Sequence, residues 1–170
     1  MKFDTIYEQL LQELFNTKQE VDWDLNGGSF VAGINGPNQT DFMLSLHPFW
    51  EMDIDAEAFN TKALSPEQWK ILKHGTWLVE FGDVESADMT EITGEQGMSS
   101  SRVFSLIGNA VLEKVKKEPG VFKNLVFAAR EPSRRSLYAR LAPILAKKLN
   151  KDMAISDDGG WFYVLSKLKP

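Results

Sequence analysis

A chain of 170 residues with a net charge of −5 has the length of one domain and enough of it to bury a core without a covalent staple. It holds no Cys and only two His, at positions 47 and 74, which excludes disulfides, thiolate chemistry and a His-rich metal cluster. The acidic balance argues against a general nucleic-acid binder, since neutralising phosphate takes a concentrated basic surface.

Phe3, Ile6, Tyr7, Leu10, Leu11, Leu14 and Phe15 recur at three- and four-residue steps, which predicts an amphipathic helix capped by Asp4. The start Met1-Lys2-Phe3-Asp4 lacks the basic opening and apolar run of a signal peptide, and no stretch approaches the roughly 18 apolar residues of a membrane span. The expected location is therefore the cytoplasm, without membrane attachment.

Val21 to Leu25 alternates like a half-buried strand, and Asn26-Gly27-Gly28 is a hairpin turn into Ser29-Phe30-Val31-Ala32-Gly33-Ile34. Thr40 to Phe49 predicts a further strand. The stretch from Trp50 to His74 is irregular, except for a short helix opened by Ser65-Pro66-Glu67-Gln68. Thr76 to Phe81 and Met89 to Thr93 read as strands. The helix expected over Ser101 to Lys117 has an apolar stripe too wide for a surface helix, so it should pack against a sheet. Asn124 to Ala129 is almost wholly apolar, as a strand buried on both faces is. Pro132 opens a last helix with Pro143 inside it, where a kink is expected, and Met153–Ser156 with Trp161–Leu165 form a terminal hairpin. No repeat or linker interrupts the chain, so one domain is expected over 1–170, with helix and strands in 1–74 and a second half in 75–170.

That order resembles the GNAT-type acetyltransferases, over Gly75 to Lys167 and, in strand order only, over the first 70 residues. More narrowly, Ile92-Thr93-Gly94, Val103-Phe104, Phe127-Ala128-Ala129-Arg130-Glu131-Pro132-Ser133-Arg134 and Leu137-Tyr138 are similar to a group of tailed-bacteriophage proteins. The GNAT resemblance implies an α/β (α+β) fold whose central sheet, mixed and mostly antiparallel, is flanked by helices on both faces. It implies a cofactor half in which backbone N–H groups at a helix N-terminus hold the pyrophosphate of acetyl-CoA. The matching stretch is Gly94-Glu95-Gln96-Gly97-Met98-Ser99, running into Ser100, with Gly97 and Ser99 at the close-approach positions and Arg134 as a phosphate ligand. It departs from the family at Gly94, where an Arg or Gln is usual, and at Glu95, which adds a negative charge. The alternative is a well-capped loop without a ligand.

The family also implies a thiolate-protonating Tyr, which falls on Tyr138; the alternative is a core residue of an amphipathic helix. Glu80 stands on a middle strand where desolvation would prepare a base, unless it faces solvent. Arg134, Arg135 and Arg140 can grip the phosphates of a cofactor or an acidic partner, or form a solvated helix face. His47, before Pro48 at a strand end, and His74, before Gly75 in a turn, read as ordinary loop histidines, with a catalytic base as the alternative. Five Trp residues are many for this length, and Trp50, between Phe49 and Met52, is the expected exposed contact for a protein partner, whereas Trp77 and Trp161 are expected in the core.

Two functions lead, with direct nucleic-acid binding through the basic C-terminal third as a weaker third. One is a binding protein on a degenerate GNAT-like scaffold, requiring no cofactor and acting on a protein partner; in a phage it would be a virion accessory or a host-takeover or defence-inhibiting factor in the host cytoplasm. The other is an N-acetyltransferase using acetyl-CoA.

Overall fold

A computed structural model of the chain describes residues 21–35, 41–49, 64–83, 100–129, 132–156 and 160–169. Its strands are β1 (Asp24–Asn26), β2 (Ser29–Asn35), β3 (Asp41–Pro48), β4 (Thr76–Asp83), β5 (Asn124–Ala128), β6 (Asp152–Ile155) and β7 (Trp161–Leu165). They form one mixed sheet in the order β1-β2-β3-β4-β5-β7-β6. Every pairing is antiparallel except that of β4 with β5. Among the described residues there are three helices, α1 (Pro66–Leu72), α2 (Ser100–Lys117) and α3 (Pro132–Leu149). The expected α/β class and the mixed, mostly antiparallel sheet are both present.

Side chains alternate across a strand, so each central strand feeds two separate clusters. Val79 and Phe81 of β4, Leu125 and Phe127 of β5, and Phe162 and Val164 of β7 meet Ile107, Val111 and Val115 of α2 and Tyr138, Leu141 and Leu145 of α3. Leu78, Val126, Tyr163 and Leu165, one step along the same strands, join Leu72 and the half-buried Trp69 of α1. Four consecutive residues of β5 are buried, the polar Asn124 at its head and then Leu125, Val126 and Phe127, as its almost wholly apolar run requires. In α2 the run from Ile107 to Leu112 is buried on every side, in keeping with its wide stripe.

Local signals set the joints. Gly27 and Gly28 both take positive φ and close the β1–β2 hairpin with Asn26 opposite Ser29. Ser65 caps α1: its Oγ accepts from Gln68 N–H at 3.2 Å, while its own N–H donates to Gln68 Oε1 at 2.9 Å. Gly75 has φ +66, and its carbonyl accepts from the N–H groups of Lys123 and Asn124, both at 2.9 Å, which ties the entry of β4 to that of β5.

Some boundaries differ from the sequence reading. The first strand begins at Asp24, not Val21, its pairing with β2 ending where Asp24 stands opposite Val31. The last helix runs through Pro143 as one element, as the loss of a single ladder bond permits. The helix expected over Phe3–Phe15 and the strand expected over Met89–Thr93 lie outside the described residues. Among the described residues no helix is long and apolar enough to cross a membrane.

Candidate functional site

β4 and β5 run parallel and in register from Thr76 opposite Asn124 to Val79 opposite Phe127. Beyond that point they part company. β5 stays with β7, and Ala129 N–H donates to Gly160 O at 2.8 Å. On the β4 side the carbonyl of Phe81 accepts from Arg134 Nη1 at 2.9 Å. Arg134 belongs to the first turn of α3, is only 7% exposed, and lays its guanidinium 4.9 Å from the centre of the Phe81 ring. A side chain from the helix thus occupies the place where the two strands separate.

Tyr138 follows one helical turn later and is fully buried. Its ring packs against Phe81, Phe127 and Phe162 with centroids 5.8, 5.2 and 6.1 Å away. The hydroxyl makes no well-formed hydrogen bond among the described residues. Burial pushes the phenol up to about 12, against the opposing pull of the Arg134 guanidinium beside it. Such a phenol holds its proton, but here it holds it inside the core.

On the opposite face of β4, one step before Phe81, stands Glu80. Its side chain is 39% exposed, and its Oε2 lies 3.3 Å from His47 Nε2 on β3. The other ring nitrogen, Nδ1, lies 2.7 Å from Ser29 Oγ at the start of β2. Antiparallel pairing explains the meeting: His47 is opposite Leu78 and Ser45 is opposite Glu80, so His47 and Glu80 are diagonal neighbours on one face. Ser29, His47 and Glu80 thereby form a row across three adjacent strands, joined by a hydrogen bond between Ser29 and His47 and by the close approach of the Glu80 carboxylate to the ring.

The remaining expected site residues scatter. Arg135 and Arg140 are exposed on α3, Arg135 with its Nε 3.3 Å from Ala129 O, so the three arginines do not act as one cluster. Ser100 opens α2. Gly94, Gly97, Met98, Ser99 and Trp50 lie outside the described residues. Trp77 is half-buried against Phe30 and Phe122 and donates from Nε1 to Val121 O at 3.0 Å, while Trp161 packs against the second cluster. Among the described residues no group of three or more His, Asp or Glu could hold a metal ion. At the other end of the β4–β5 pair, Lys70, Ile71, His74, Lys123, Asn124 and Ser166 line an open cavity of about 330 Å³.

Of the row, Glu80 alone is a leading candidate in the sequence. Ser29 is not a candidate there, and His47, in which the loop histidine outweighs the base, lies inside β3 and is the centre of the row. Its parity with Ser45 along β3 and the hairpin register fixed by Gly27-Gly28 were the signals that pointed to Ser29 and His47 together. Comparison with protein-family models, with curated proteins and with solved structures gave no match.

Proposed function

We propose that this protein acts by binding a protein partner, on a GNAT-like scaffold with helices on both faces of its sheet and without acetyl-CoA as a working cofactor. The observation that carries the reading is Arg134: its buried guanidinium bonds the Phe81 carbonyl where β4 and β5 separate, the opening that such a scaffold would need for a ligand. The enclosed Tyr138 hydroxyl supports the same view, because a general acid must come within hydrogen-bond reach of the group it protonates. Arg135 and Arg140, exposed on α3, offer guanidinium groups to an acidic surface of the partner. In a phage, such a protein would serve as an accessory or host-takeover factor in the host cytoplasm.

A second reading, an N-acetyltransferase using acetyl-CoA, draws on Glu80, a half-exposed carboxylate on β4 already held by a histidine. Calorimetric titration with acetyl-CoA and CoA separates the two. We expect no binding heat at millimolar ligand, for the wild type and for a Gly97→Asp variant alike. Micromolar binding by the wild type that Gly97→Asp abolishes would replace the first reading by the second.

A further inference from the structure

The row across β2, β3 and β4 has a chemistry independent of any cofactor. A carboxylate at His47 Nε2 favours the tautomer with its hydrogen there, which leaves the Nδ1 lone pair facing Ser29 Oγ at 2.7 Å. This is the arrangement by which a hydroxyl is activated: nucleophile hydrogen-bonded to base, and base faced by an orienting carboxylate. Such a set is recognised by geometry and roles, on any fold and in any chain order.

The row is also within reach of a substrate. Ser29 is half-buried, and the His47 and Glu80 side chains are 27% and 39% exposed. The turn before Ser29 is bare: a Cβ placed on Gly27 would meet nothing within 4 Å. The face is the one away from Arg134 and Tyr138, since Phe30, Leu46, Val79 and Phe81, the alternate residues of the same strands, turn toward the first cluster.

We infer that Ser29, His47 and Glu80 form a nucleophilic site that acts on carboxylic esters. Ser29 Oγ bonds to the acyl carbon as its proton passes to His47 Nδ1. The bond from acyl carbon to the alcohol oxygen breaks, and that oxygen leaves with the proton from His47. Water then repeats the two transfers, releasing the carboxylic acid and restoring Ser29, with no redox change. Glu80 is a positioning residue that holds the ring and stabilises the imidazolium formed on the way.

The test is covalent labelling of the whole chain by a fluorophosphonate, with the modified residue located by peptide mass spectrometry and hydrolysis of p-nitrophenyl acetate followed in parallel. We expect a single adduct on Ser29, none on any residue in Ser29→Ala, and labelling slowed about a hundredfold in His47→Gln. Glu80→Gln should slow labelling and remove the downfield proton signal of the His47 Nε2–H at unchanged melting temperature, which a purely structural carboxylate would not do. Absence of an adduct on Ser29 in the folded wild type overturns the inference, whatever the variants do. So does labelling of Ser29 at the same rate in His47→Gln, which would mark an ordinary exposed serine. Neither outcome depends on the titration with acetyl-CoA, so this site and the binding reading fail separately.

Discussion

Tyr138 sits where three strands and a helix converge, with its phenol enclosed by Phe81, Phe127 and Phe162. Its helical spacing with Leu141 and Leu145 is readable from the sequence, and so is its place on an apolar face. That its hydroxyl ends between aromatic rings beside Arg134 depends on contacts made far along the chain. The pH consequence follows from the direction of its shift. A phenol raised to about 12 in the fold, from an ordinary 10.0, stays neutral there while the unfolded chain ionises. The fold loses no stability to this group below pH 10, and loses up to about 3 kcal/mol as the pH climbs from 10 toward 12. Urea unfolding of Tyr138→Phe should show little change at neutral pH and less loss of stability than the wild type near pH 11. An equal alkaline loss in both proteins would mean that other groups set it.

At the scale of the element, the clearest local signal is the opening of α1. Ser65-Pro66-Glu67-Gln68 spells a capping box, and both of its hydrogen bonds form. The helix is seven residues long, too short to hold itself together, and owes its persistence to Leu72 and Trp69 in the second cluster. Ser65→Ala should therefore lower global stability by about 1 kcal/mol, read as a shifted urea midpoint with an unchanged slope. In α2, by contrast, the width of the apolar stripe announced burial but not what lies at its end. Lys114 there crosses the Phe30 ring at 4.1 Å and pairs with Glu118 at 2.6 Å, so its stem covers aromatic surface while its charge remains satisfied.

At the scale of the whole molecule, Asn124 does what no local pattern foretells. Fully buried at the head of β5, its Nδ2 donates to Ile71 O, His74 O and Thr76 Oγ1, each at 3.1 Å, while its Oδ1 accepts from Ser166 N–H at 2.8 Å. One amide thus joins the end of α1, the start of β4 and the segment after β7. In a run of apolar residues it reads as a strand-edge polar residue. Its worth comes from partners about 40 to 50 residues away, brought in by the strand order. Asn124→Ala would strand several buried polar groups, and a loss of about 2 to 4 kcal/mol is expected from thermal or urea unfolding. A loss below about 1 kcal/mol would show that water replaces the amide.

Periodicity and turn chemistry act over a few residues, and they determined what they could reach: strands at β2 to β7, the helices α1 to α3, the Gly27-Gly28 hairpin, and an α/β chain, whereas the mixed sheet was implied by the resemblance alone. The site was legible only one residue at a time, with Glu80, Arg134 and Tyr138 visible as candidates, His47 as the weaker alternative to an ordinary histidine, and Ser29 unmarked. Which of them meet was decided by strand order and register. Pairing β2, β3 and β4 sets Ser29, His47 and Glu80 in one row, and the parting of β4 from β5 lets Arg134 reach the Phe81 carbonyl across 53 residues of sequence. Contacts of that kind are fixed by the burial of whole faces, a property of the assembled sheet that no single segment contains.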